Sequence, residues 1–221
     1  MNKAVRLPLQ VGNDQAAALQ ALQRQFAQAC NALAPRVAAQ RCWNRVALHH
    51  LAYKDLREAF PQLGSQMACN AIHAVCKAAR IVYQHPRSPF NVERVGAQAL
   101  PRLQFTERSP VYFDRHTLTL RDTEVSLFTL DGRIRCPVSI PPATLKRLKE
   151  ERLVEAALTG NDDGYLLTFS LTDPDRPTPA RRPVDASAPT LPSHVEVIHT
   201  ASPVDTLPGQ APRLNNAMSH G

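Results

Sequence analysis

Apolar and polar residues change their spacing twice along the chain, and each change marks a different kind of element. Between residues 3 and 11, Val5, Leu7, Leu9 and Val11 alternate with Arg6, Pro8 and Gln10, the period-two signature of a half-buried strand. Pro8 cannot donate to a ladder, which favours a sheet edge. The spacing then becomes helical. Asn13 or Asp14 is placed to cap a helix whose Leu19, Leu22, Phe26, Cys30 and Leu33 recur at three and four, ending near Pro35. A second helix spans about Gln40 to Phe60, with Trp43, Ala47, Leu48, Leu51 and Leu56 inward. The break Phe60-Pro61-Gln62-Leu63-Gly64 precedes a third, capped by Ser65 and running to about Tyr83. Its apolar stripe is Ala68, Ile72, Val75, Ala79 and Val82. From Leu103 onward the spacing is that of strands. Val125, Leu127 and Thr129 alternate up to a turn at Asp131-Gly132, and the chain returns through Ile134, Cys136 and Val138. Asn161-Asp162-Asp163-Gly164 is a second turn, leading into Tyr165, Leu167, Phe169 and Leu171. A strand, then helices, then several strands predict an α+β fold: a small β-barrel interrupted by a helical insertion after its first strand.

Composition adds a boundary. The 221 residues are 43% hydrophobic, enough for the core of one large domain or two small ones. The last 49 residues, Asp173 to Gly221, hold 9 of the 19 prolines and none of the 12 aromatic residues. Such a segment lacks the large side chains that offset ordering entropy, so it is expected to be a disordered tail. Within it only His194-Val195-Glu196-Val197-Ile198-His199 alternates, which fits an added sheet edge or no element at all. The net charge is +7. Up to Thr172 there are 22 basic and 14 acidic residues, so the basic character belongs to the body. No stretch approaches the roughly 18 apolar residues of a membrane span, and Met1 to Val11 has no apolar signal region. Cys30, Cys42, Cys69, Cys76 and Cys136 are odd in number and form no C-x-x-C pair, which suits reduced thiols in a cytoplasmic protein.

Catalytic and metal-binding patterns are missing. There is no G-x-x-x-x-G-K, G-x-G-x-x-G or G-x-S-x-G, and 8 glycines leave little material for a phosphate loop. His49 and His50 are adjacent, about 100° apart on a helix, so they do not meet one metal. Asp162-Asp163 fall in a turn, where Asp is expected for backbone reasons. No cofactor is expected.

Two polar surfaces carry the candidate chemistry. On the third helix Gln66, Asn70, His73 and Lys77 recur at four, three and four, opposite the apolar face. Amides pair with adenine edges and Lys neutralises phosphate, although an ordinary solvated helix face has the same composition. On the hairpin, Arg133 and Arg135 lie opposite Ile134 and Cys136, with Arg115 and Arg121 nearby. A positive sheet face suits a nucleic-acid backbone, and solubilising arginines give the same pattern.

Longer stretches extend the picture. Phe26-Ala-Gln-Ala-Cys-Asn31, Leu48-His-His-Leu-Ala-Tyr53-Lys-Asp-Leu-Arg57-Glu-Ala-Phe60 and Ser65-Gln66-Met-Ala68 resemble, in this order, the N-terminal half of TnpB-type transposon-encoded RNA-guided nucleases, relatives of type V CRISPR effectors. Tyr112-Phe-Asp114-Arg115, Val125 through Arg135, Glu155-Ala-Ala-Leu158 and Gly164 through Leu171 resemble that family's wedge domain, so the likeness covers about residues 1–172.

The resemblance implies an oligonucleotide-binding-like wedge barrel with a helical recognition domain inserted: wedge strand 1–12, recognition insertion 13–98, wedge barrel 99–172 and tail 173–221. It implies guide-RNA contacts on Arg102, Arg115, Arg121, Arg133 and Arg135. It also implies contacts to a target-adjacent DNA motif on Tyr53, Arg57, Ser65, Gln66, Asn70, His73 and Lys77, under the logic that protein reads the motif and base pairing reads the rest. Family members continue into a RuvC-like nuclease domain with three separated acids and a zinc module. Here neither is present, so this polypeptide alone is not expected to cut DNA. The implied role is a nuclease-less RNA-binding and DNA-recognition module, cytoplasmic and nucleoid-associated in a prokaryote. It acts as a repressor or binder, or as the recognition half of a split effector with a separate RuvC-like subunit. The alternative is a truncated transposon remnant, a structural or interaction protein that binds nucleic acid non-specifically.

Overall fold

The computed structural model describes residues 3–121, 123–161, 164–172 and 194–198, and the fold is α+β. Strand β1 (Lys3–Leu9) leads into helices α1 (Asn13–Gln40), α2 (Arg45–Ala59) and α3 (Ser65–Ala79). A π turn (Arg80–Gln84) and the short helix α4 (Val92–Val95) follow. Then come β2 (Arg102–Phe105), β3 (Val111–Phe113), β4 (Leu118–Leu120), β5 (Glu124–Thr129) and β6 (Gly132–Pro137). Helix α5 (Pro142–Glu150), β7 (Arg152–Asn161), β8 (Gly164–Thr172) and β9 (Val195–Ile198) complete the elements of the described residues.

Period-two alternation in β1 does what it predicts. Val5, Leu7 and Leu9 are buried while Arg6 and Pro8 are exposed, and β1 lies at the edge of the sheet β1-β8-β7-β3. It pairs antiparallel with β8, so the helices from α1 to α4 all sit between two strands that are neighbours in space.

The strands do not close into a barrel. Among the described residues they form three sheets, β1-β8-β7-β3, β2-β9 and β4-β5-β6. One backbone bond, from the Gln10 N–H to the Pro137 carbonyl at 3.3 Å, links the chain after β1 to the end of β6. Only the turn 114–117 joins β3 to β4. That turn is held by the Asp114 carboxylate, which accepts from the His116 and Thr117 N–H groups.

Three helix boundaries differ from the periodicity. Helix α1 continues through Pro35 to Gln40, because Leu33, Ala34, Val37 and Ala38 are buried on both sides of the proline and offset its lost hydrogen bond. It stops where Arg41 turns left-handed (φ 49°) and Cys42 N–H returns to the Val37 carbonyl. Helix α2 therefore starts late, at Arg45, with the Asn44 side chain accepting from Val46 and Ala47 N–H. Its inward face is Leu48, Ala52 and Leu56, leaving Leu51 47% exposed and Ala47 on the surface. At α3 the cap is Gly64, not Ser65, since glycine accepts φ +74° there and any Cβ would come within 3.2 Å of the Phe128 ring.

The hairpin between β5 and β6 has Leu130-Asp131 as its two-residue loop, one position earlier than the composition suggests, with Gly132 at φ +110°. Buried residues of α1, α2 and α3 and of the strands form one contiguous apolar core.

The proline-rich residues 173–193 and 199–221 lie outside the described residues. Between them the alternation at 194–199 becomes a strand. Val195–Ile198 pairs antiparallel with β2, matching Phe105 to Val195 and Arg102 to Ile198.

Candidate nucleic-acid interface

The polar stripe of α3 is only partly open to solvent. Its residues meet the β3–β7 end of the large sheet, one after another along the helix. Gln66 donates its amide to the Asp114 carboxylate on the turn after β3. Asn70 is 6% exposed and donates to the Tyr112 carbonyl at 3.0 Å. One turn further, Glu155 of β7 takes His73 Nε2 at 3.2 Å and Lys77 Nζ at 2.6 Å, and Lys77 lies 4.6 Å from the centre of the Tyr112 ring. The stripe is thus a helix–sheet seam. The expectation that these side chains stand opposite the core, free to read bases, is corrected for Asn70 in particular. β3 ends its sheet, and a buried asparagine amide there satisfies a carbonyl that would otherwise be desolvated without a partner.

Titration of the seam follows from these contacts. Burial pushes the Glu155 carboxyl up, but hydrogen bonds from His73 and Lys77, with the charge of Lys77, outweigh it and hold the group below its ordinary value of 4.5. Burial likewise pushes Lys77 down, and Tyr112 and Glu155 outweigh it and hold the ammonium above its ordinary value. A carboxylate whose folded pKa is depressed stabilises the fold above its unfolded pKa and loses that contribution as pH falls through the folded value. Wild-type protein is therefore expected to exceed Glu155→Gln in stability at neutral pH. Urea midpoints taken from pH 7 to pH 3 check this: the gap shrinks as pH drops below about 4.5. A constant gap contradicts the assignment.

The outer ridge of α3 is more accessible. Ser65 is exposed, and Cys69 is half-buried with Arg45 and Arg57 of α2 near enough to act on it. Burial raises the Cys69 thiol, with Asp114 in the same direction and the two arginines opposing. Tyr53 stacks on His49 at 4.5 Å, and Arg57 donates to the Pro61 carbonyl at 3.3 Å. Arg45 was not among the residues that periodicity selects; it stands at the first position of α2, which is visible only once the Asn44 cap is placed.

The second surface is the outer face of β4-β5-β6. Register opposes Thr119, Ser126 and Arg135 across the three strands, and Phe128 to Arg133 beside them. Leu118, Val125, Leu127 and Cys136 point to the core on the other face. Arg133 lies along the sheet: its guanidinium donates to the His116 carbonyl at 2.6 Å and to Ser126 Oγ at 3.2 Å. Arg135 is 3.8 Å from Glu124, and its side chain is 70% exposed. Arg115 donates to His116 Nε2 beside it, and Arg121 is tied to Glu124 through its backbone N–H at 2.8 Å. Four of the five arginines selected from the sequence therefore belong to this sheet and the turns that lead into it. Arg102 does not. It is exposed on β2, across from Ile198 of β9, in a different sheet.

No known family model matches this chain, and no curated protein does either. A role must come from the two surfaces themselves.

Among the described residues no three of His, Cys, Asp and Glu converge as metal ligands. All five cysteines are unpaired, and burial raises the Cys30 and Cys76 thiols, Cys76 to about 11. Such thiols are inert fillers of the core at neutral pH. No described helix is long and apolar enough to cross a membrane.

Proposed function

We propose that this chain is the nucleic-acid-holding module of a TnpB-like or type V CRISPR-like RNA-guided system. Its partners are a guide RNA, double-stranded DNA bearing a short motif beside the target, and a separate RuvC-like nuclease subunit in the split form. The observation that carries the reading is the arginine face of β4-β5-β6. Arg133 is pre-positioned by His116 and Ser126, and Arg115, Arg121 and Arg135 flank it, so phosphates meet guanidinium donors already held near the sheet. Guanidinium forks suit phosphate geometry better than ammonium groups do, and fixing one in advance lowers the ordering cost of binding.

The wedge reading draws support from β1, which joins β8 across the whole helical segment, and from the Gln10–Pro137 bond that brings β1 to β6. In this reading the strands are an open form of an oligonucleotide-binding-like barrel. DNA contacts fall to Tyr53, Arg57 and Ser65 on the α2–α3 ridge, with Arg45 added to them. Gln66, Asn70, His73 and Lys77 hold that ridge on the sheet. No catalytic residue is assigned to the chain, and a cytoplasmic, nucleoid-associated site of action goes with the partners.

The RNA that the full chain carries through purification tests the reading. A discrete species with a scaffold and a guide supports it, and bulk cellular RNA alone overturns it in favour of a remnant with only non-specific binding.

A further inference from the structure

Strand β9 occupies an unusual position. It belongs to a two-stranded sheet with β2, while the strand before it, β8, lies in another sheet, and residues 173–193 connect them. Its removal would break no other ladder. On its far side β2 is already fixed without β9: the Asn31 amide of α1 donates to the Phe105 carbonyl at 2.9 Å and accepts the Phe105 N–H at 2.7 Å. One edge of β2 is thus built by the helices and the other is open to a strand.

What fills the open edge is chosen by side chain as well as backbone. Val195 is 5% exposed and Val197 is packed against the core, while Glu196 and Ile198 point outward. The His194 carbonyl collects three donors, Thr106 N–H at 3.1 Å, Ser109 Oγ at 3.1 Å and Thr106 Oγ at 3.4 Å. Together His194 and Val195 roof a small cavity lined by Lys77, Tyr112 and Ser109. Four paired residues make a short ladder, of a size that opens locally before the rest of a domain does.

We propose that the edge of β2 is a seat for an extended peptide. Its occupant is residues 194–198 of the same chain, which leave and return as a unit while the body stays folded. The recognition is β-augmentation: backbone pairing supplies affinity, and the two valine sites supply selectivity for alternating apolar residues.

Hydrogen exchange on the full chain tests this. In the wild type, the amides of Arg102, Gln104 and Thr106, which face β9 in alternation with the Asn31-bound Phe105, are expected to exchange about tenfold faster than those of β7 and β8, reporting opening of the seat alone. In the double variant Val195→Asp, Val197→Asp the same amides gain a further factor of about ten, with β7 and β8 unchanged. A synthetic peptide of residues 192–200, added to that variant, restores their protection. Equal rates for β2 and β8 in the wild type would overturn the proposal, because the strand would then be an integral part of the core. Loss of protection throughout the double variant, or no protection from the peptide, would overturn it as well.

Discussion

Charge reversal at Arg133 and Arg135 is expected to weaken RNA binding at least about tenfold while leaving the fold intact. Both side chains are exposed, so the substitutions cost no core packing and should lower stability by about 1–2 kcal/mol, from the Arg133 hydrogen bonds to His116 and Ser126. The neutral pair Arg133→Gln, Arg135→Gln should lower the slope of log affinity against log salt by about 1.4 for a single strand, since two phosphate neutralisations are lost. A control separates this surface from net charge. Lys146 and Lys149 lie exposed on α5, away from the arginine face, and reversing both changes total charge by the same amount. The α5 pair should bind RNA nearly as wild type does. Equal losses for the two pairs, measured by filter binding across a salt series, would remove the arginine face from the account.

Asn70→Ala is expected to destabilise the protein by about 1–3 kcal/mol, because the Tyr112 carbonyl keeps its place at the seam and loses its buried donor. Gln66→Ala removes a bond to Asp114 that is partly open to water, and should cost less, about 0.5–1.5 kcal/mol. Urea unfolding measures both. Under conditions where the variants are fully folded, Asn70→Ala should bind RNA and DNA with unchanged sequence preference. An Asn70→Ala protein of wild-type stability with an altered DNA motif would make the stripe a base reader and refute the seam.

These two predictions divide along what the sequence makes legible. Arg133 and Arg135 share a face with a two-residue hairpin beside them, and the register of a hairpin is local, so alternation alone locates them correctly. Asn70 and Lys77 are equally regular on α3, but periodicity states only that a helix has a polar side. Whether water or a strand covers that side depends on Tyr112 and Glu155, residues 42 and 78 positions away. The one local hint is Glu155 itself, an acid among the apolar positions Leu153 to Leu158.

The same limit explains the helix ends. Pro35 reads as a stop because the missing hydrogen bond is local, whereas the buried Val37 and Ala38 that carry α1 past it are tertiary. Composition labels everything after Asp173 as one tail, and yet Val195-Glu196-Val197 has the alternation its seat on β2 requires. Asn31 shows no sign of its role in sequence. It sits on the helix as a solvated polar residue would, and only the approach of Phe105, 74 positions later, reveals it as the second edge of β2.

RNA retained by the full chain through washes of rising salt, and then sequenced, decides whether it is a guided binder. One enriched RNA is expected, with a constant scaffold joined to a variable guide, persisting at salt concentrations where general electrostatic binding is lost. Ribosomal and transfer RNA in their cellular proportions, released as salt increases, would contradict it.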